Sequence, residues 1–230
     1  MGDDGWQKPT RCEGWTVADV VLHLAQTDEM ATASVQGRYR ESIGSLAAGL
    51  PPTSDVDGAV DLMVARERGA PAAALRARWQ AAADDLDAAL AVTDPHLRVD
   101  WVTGQLSARS LATTRFSENW IHTGDVAEGL GLDLPPSERL HHIARLAWRT
   151  LPYAFARSGR ELAGPVAFAL RAPSGNAWDF MPDEPASTTI TGDGAELCLV
   201  AARRLAPADT TLQADGPDGA AVLELVRTYA

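Results

Sequence analysis

The segment RFSENWIHTGD, Arg115–Asp125, reads as helix, and its polar residues are arranged on one side. At about 100° per residue, Arg115, Glu118, His122 and Asp125 fall within an arc of roughly 80°. Ile121 borders that arc on one side and Val126 on the other. A polar stripe with apolar borders does not have the character of a solvent face. It predicts charged groups aimed into a cavity or a buried site.

The surrounding chain is long enough to bury that site. It has 230 residues, 46% hydrophobic and 22% charged, an ordinary globular composition. The net charge is −11 and the isoelectric point about 4.8, which argues against nucleic acid as a partner. Cys12 and Cys198 are far apart and belong to no CxxC-type motif, so a disulfide scaffold is not expected. The N-terminus is acidic and polar, unlike a signal peptide. No apolar run reaches ~18 residues, so no membrane span is expected. The cytoplasm is the expected location. Lys8 is the single lysine among twenty basic residues, a bias of GC-rich genomes.

Outward from the opening segment, Ser107 reads as the N-cap of its helix and Gly131 as its end. Upstream, Thr16 with Asp19 resembles a capping box for a helix through Val35. Its apolar face is Val17, Val20, Val21, Leu24 and Ala31, with His23 on the shoulder. Gly44 to Ser54 reads as loop, Asp57 to Arg68 as a short helix, and Pro71 as the start of a longer one ending near Val92. Asp94–Leu106 reads as irregular, with a short extended stretch around Trp101. Ser137 to Ser158 reads as one helix, kinked or ended by Pro152.

Beyond this point the periodicity changes. Val166, Phe168 and Leu170 alternate as in a strand; Ser174–Phe180 reads as a turn and second strand, Ser187–Asp193 as a third, and Asp209–Gly219 holds a fourth. Helices are expected at Ala195–Leu205 and from Ala220 to the end. The expected fold class is α+β in two parts: a helical bundle over 1–135, then a helix and a small α+β domain over 136–230.

Glu118 and His122 are four residues apart and lie one turn from each other. A carboxylate and an imidazole at that spacing can bind one divalent metal, although E-x-x-x-H alone also describes an exposed pair. His23 is the best candidate for a third ligand, since its helix must pack against others. The bland alternative is a core-edge histidine bonded to a backbone carbonyl. His141 and His142 read as a solvated face, and His96 has no assigned role. Trp15 and Trp120 read as bundle core, Cys12 as a small buried thiol, and Asp84, Asp85 and Asp87 as a solvated helix face.

Three segments carry a family resemblance. WQKPTRCEGWTVADVVLHLAQTD, Trp6–Asp28, resembles the first signature of the mycothiol-dependent maleylpyruvate isomerase family, in the DinB/YfiT-like metal-binding superfamily. Trp101–Gly131 resembles its second signature, R-x-x-E-x-W-x-H-x-x-D. Ile190–Arg204 is similar to its C-terminal, sterol-carrier-like domain. The paired signatures, about 95 residues apart, are more specific together than singly.

The resemblance implies a DinB-like bundle with a metal held by His23, Glu118 and His122. Zinc is the first expectation, with iron(II) or manganese also compatible with the ligand types. It implies that Arg115 and Asp125 support the ligands or grip an anionic substrate. It also implies mycothiol as a thiol cofactor and a small electrophilic substrate. The family usually has an amphipathic helix ahead of the Trp6 motif. Here only five residues precede Trp6, so the Asp57–Arg68 helix or a partner chain is expected to close the bundle, and a homodimer is expected.

The expected function is therefore a metal- and thiol-dependent isomerase or transferase. Two alternatives stand beside it: a thiol-independent Lewis-acid enzyme such as a cyclase or lyase, and a non-catalytic metal- or ligand-binding protein.

Overall fold

The computed structural model describes residues 2–53, 55–102 and 104–228. These fall into two compact units, residues 1–134 and 135–230. The first is helical and the second is built on a mixed sheet, the α+β class expected.

The first unit runs α1 (Asp3–Trp6), α2 (Val17–Val35), α3 (Tyr39–Ala47), α4 (Val56–Glu67), α5 (Ala72–Ala91), a β1–β2 hairpin (Arg98–Trp101 and Gly104–Ser107), and α6 (Ala108–Leu130). The α2 helix is the hub, packed against α5, α6, α3 and α4. Its start is fixed by a capping box: Thr16 Oγ1 accepts from Asp19 N, and Asp19 Oδ2 accepts from Thr16 N. Fourteen of its nineteen residues are buried, Asp19, His23, Gln26 and Asp28 among them. The one-sided apolar face read from sequence understates this, because a hub helix is contacted all round. One core cluster joins Ala31, Val35, Leu86, Val99 and Leu111; another joins Leu22, Val64 and Leu75, with Trp6 and Trp15 against it. Val64 of α4 is fully buried there, so the Asp57–Arg68 segment does contribute to the bundle core.

Several local expectations are corrected. Tyr39–Ala47 is helix, so the loop expected from Gly44 begins only after Ala47. Tyr39, Ile43 and Leu46 do recur at helical spacing and are half-buried, but Gly44 inside the segment reads as a breaker and hides the period. The irregular stretch around Trp101 is an antiparallel hairpin, with Arg98 opposite Ser107 and Trp101 opposite Gly104. Its stability comes from docking, through Val99 in the core and a hydrogen bond from Ser34 to Asp100 O, which short isolated strands do not advertise. Both ends of α6 are as read: Ser107 Oγ accepts from Ser110 N, and Gly131 takes the left-handed conformation at φ 70°.

In the second unit, α7 (Leu140–Arg149) and α8 (Leu151–Arg157) replace the single helix expected from Ser137, with Thr150 as the joint and Pro152 inside the first turn of α8. The sheet order is β4-β3-β5-β6: Ala177–Phe180, Val166–Arg171, Thr188–Asp193 and Gln213–Asp215. The central pair β3–β5 is parallel and the outer pairs are antiparallel. Phe168, Leu170, Trp178, Phe180 and Ile190 are buried, with α7 and α9 (Gly194–Ala201) packed together. The chain continues through a 3₁₀ turn at Pro207–Asp209 and α10 (Gly219–Leu225). No helix of the described residues is long and apolar enough to cross a membrane.

Candidate metal centre

The stripe on α6 faces inward, against α2. Arg115 is 3% exposed, His122 9% and Asp125 1%. Glu118 keeps a side chain about a quarter exposed, so the cluster is reachable from one side. His23, 7% exposed, comes from the facing turn of α2. The three groups expected to share a metal therefore meet.

The spacing separates a metal set from a hydrogen-bonded one. Glu118 Oε2 lies 3.5 Å from His122 Nε2 and 3.9 Å from His23 Nε2. All three donors lie within 4.8 Å of one another. Two donors bound to one tetrahedral ion at about 2.1 Å sit about 3.4 Å apart. The His–Glu–His spacings are thus long for good hydrogen bonds and close to those an ion between the donors requires. A second group, Cys12, His122 and Asp125, is also close enough to be considered. There the His122 Nδ1 to Asp125 Oδ2 distance is 2.9 Å, a hydrogen bond rather than a pair of co-ligands. Asp125 accepting the Nδ1 proton leaves Nε2 free to face Glu118 and His23, the carboxylate–histidine arrangement common behind metal ligands. The donor types, their separation and the oriented imidazole all fit a divalent ion such as zinc.

The charges suit the same picture. Burial opposes protonation of His122, but its contacts to Asp125, Cys12 and Glu118 outweigh burial and push it up to about 11. Burial also opposes ionisation of Glu118, yet the two histidines and Arg115 hold it well below the usual carboxylate range. Burial dominates at His23 and lowers it, so that imidazole is neutral. Without metal, the cluster is an imidazolium and a carboxylate beside a neutral imidazole.

Arg115 is held away from the cluster's open side. Its Nε donates to Asp28 Oδ1 at 3.0 Å, and a terminal nitrogen donates to Thr27 Oγ1 at 2.8 Å. Thr27 Oγ1 in turn donates to the His23 carbonyl at 2.7 Å. Arg115 thereby ties α6 to the turn of α2 that carries His23. These contacts leave the guanidinium buried and bonded to α2.

The sequence reading missed four participants. Asp28 and Thr27 are embedded in a helix that reads as apolar; the available signal was an acid inside a buried stretch with no cation on its own helix to pair with it. Trp15 is a wall of the site as well as core. Its ring centroid is 5.2 Å from His23 and 6.4 Å from His122, and its Nε1 donates to Asp61 at 2.8 Å. Cys12 is not fully buried: it is half-buried, and Sγ donates to Asp125 Oδ2 at 3.3 Å. Elsewhere, Trp120 is half-buried, Asp84, Asp85 and Asp87 are exposed as expected, and so is His96. His142 is exposed, but His141 is not simply solvated; its ring lies 5.0 Å from Phe180 and 5.5 Å from Trp178.

Fold and site together define a class: a helical bundle with an inward His–Glu–His cluster, followed by a small mixed-sheet unit. The model of the mycothiol maleylpyruvate isomerase N-terminal domain matches residues 1–127, more than half of the chain, and the chain belongs to that family. An uncharacterized protein of Mycobacterium tuberculosis, found in strains CDC 1551 / Oshkosh and H37Rv, is 32% identical over 228 residues, covering 99% of this chain and 87% of that protein. Two crystal structures of the mycothiol-dependent maleylpyruvate isomerase, one of a mutant, superpose with a TM-score of 0.59. They cover 93% of this chain and 84% of theirs at 19% identity, a likeness of fold.

Proposed function

We propose that the protein is a metal-dependent isomerase that uses a low-molecular-weight thiol, mycothiol by family, on a small electrophilic substrate. The observation that carries this reading is the three-ligand set of His23, Glu118 and His122, oriented by Asp125 and open on the Glu118 side, in a chain of this family. A structural site would be closed by a fourth protein ligand.

When bound, a divalent ion in this set supplies Lewis acidity and a place where a thiol, pKa near 8.5 when free, is held as thiolate. His23 and His122 present neutral Nε2 donors, and Glu118 offsets part of the positive charge. Asp125 retains the His122 Nδ1 proton and fixes the ring. Arg115 supports His23 through Thr27. Trp15 closes one flank with an apolar face. The chemistry is addition and expulsion: a C–S bond forms as the electron pair of an activated double bond moves onto its carbonyl oxygen. The resulting single bond rotates, and the pair returns as the C–S bond breaks. Thiol is recovered, and the product is the geometric isomer. Asp125 and Arg115 act as positioning residues in this scheme.

The same reading keeps the protein in the cytoplasm, where low-molecular-weight thiols are kept reduced. It also keeps the expected homodimer, which light scattering at several concentrations tests; a monomeric mass throughout removes it. The function is tested by isomerisation of maleylpyruvate and related conjugated acids, with and without mycothiol, at fixed zinc. Turnover that requires mycothiol is the expected result. Undiminished turnover after exhaustive thiol removal would leave a Lewis-acid enzyme in its place.

A further inference from the structure

One loop brings two side chains to His122. Between α1 and α2, Pro9–Thr16 closes on itself: Thr10 N and Oγ1 both donate to Trp15 O at 3.0 Å, Cys12 N donates to Thr10 Oγ1 at 3.3 Å, and Trp15 N donates to Cys12 O at 3.0 Å. Pro9 and Thr16 form a bridge at its base. The loop is pressed onto α6 so closely that a Cβ on Gly129 would come 2.6 Å from Pro9 O. Trp15 then lies along the face of the His122 ring, and Cys12 lies at its Nδ1 edge, 3.8 Å away.

The detail that matters is shared acceptance. Asp125 Oδ2 takes the His122 Nδ1 proton at 2.9 Å and the Cys12 thiol proton at 3.3 Å. Asp125 is almost fully buried, so bulk water does not set its orientation. Both donors approach one oxygen from two different elements, a loop and a helix.

We propose that Cys12 is a positioning residue that acts on His122 through Asp125. By donating to Oδ2, the thiol holds the carboxylate where it accepts the Nδ1 proton, and this keeps His122 Nε2 turned toward Glu118 and His23. The part of the proposal concerning metal affinity rests on the His23–Glu118–His122 reading; the part concerning the His122 ring does not. Groups that orient metal ligands are commonly worth about 10–100-fold in affinity. A thiol is a weak donor, so the low end of that range applies here.

The experiment compares wild type with Cys12→Ala and Cys12→Ser, each confirmed folded by thermal unfolding. Zinc affinity is measured by chelator competition, and the His122 ring nitrogens are read by NMR in the metal-free protein. Cys12→Ala is expected to weaken zinc about 10-fold and shift the His122 Nδ1 resonance. Cys12→Ser retains a donor and is expected to stay within about 3-fold of wild type. Equal losses in both variants would mean that sulfur's volume, not its proton, matters, and would overturn the proposal. So would a Cys12→Ala protein with wild-type ring nitrogens. If the ring shifts in Cys12→Ala while wild type fails to bind zinc, the positioning role stands and the metal reading falls.

Discussion

At the residue scale, the centre depends on which proton each imidazole holds. His122 without metal sits between Asp125 and Glu118 and is pushed up to about 11, from an ordinary 6.5. Because that value is raised, its contribution to metal-free stability is complete below about pH 6.5 and is lost as pH rises through 11. An ion at Nε2 must displace a proton, so zinc binding at pH 7.5 is expected to release about one proton per site. Calorimetry in two buffers of different ionisation enthalpy measures this, and a release of zero would contradict the assignment of Nε2. His122→Ala is expected to remove the ion with the fold intact; full metal content by elemental analysis would reject His122 as a ligand. Arg115 and Asp28 are both buried, so Arg115→Met leaves an uncompensated carboxylate and is expected to cost about 3–5 kcal/mol in denaturant unfolding. Adding Asp28→Leu should recover most of that loss, and a double variant no better than the single would show that Arg115 acts through other partners. The α6 half of this arrangement was legible, because four polar residues on one arc with apolar borders are a periodicity signal. The partners Asp28, Thr27, Trp15 and Cys12 were not, because each acts across a tertiary contact that no local period encodes.

At the element scale, the legible features were those written locally. Thr16 with Asp19, Ser107 and Gly131 each satisfy the polar groups of a helix end from within a few residues, so sequence alone locates those ends. The α3 helix was missed because Gly44 interrupts a short period of Tyr39, Ile43 and Leu46, and the hairpin was missed because its strands are four residues each and owe their order to Val99 in the core. The burial of α2 on nearly every side was underestimated for a further reason: Ala25, Ala33 and Ser34 look neutral or polar in a pattern, yet they are small enough for a hub. The Pro9–Thr16 loop gives this scale its test. Gly129→Ala would force the loop off α6, because the atom in the way is backbone. Overpacking of this kind costs typically about 1–3 kcal/mol. The variant is expected to unfold earlier and to bind zinc more weakly, since Cys12 and Trp15 ride on the same loop. Lowered stability with unchanged zinc affinity would mean that the loop serves the fold and not the centre.

At the scale of the whole molecule, the change from helical to strand periodicity near Val166 made the α+β class readable, although the mixed topology of the sheet was not. Parallel pairing of β3 with β5 depends on a crossover through β4, and nothing in either strand's own sequence fixes its partner. The division of labour between the units is clearer. Every residue placed at the centre, from Cys12 to Asp125, lies within residues 1–134, as do both core clusters that surround α2. A helical unit of this size, with its own core and its own caps, has what independent folding requires. The segment 1–134 expressed alone is therefore expected to unfold cooperatively and to bind zinc within a few-fold of the full chain. Its isomerase turnover, by contrast, tests whether residues 135–230 take part in handling thiol or substrate. A fragment that folds and holds zinc but does not turn over would assign that task to the sheet unit. A fragment that cannot fold would refute the autonomy argued here, whatever its metal content.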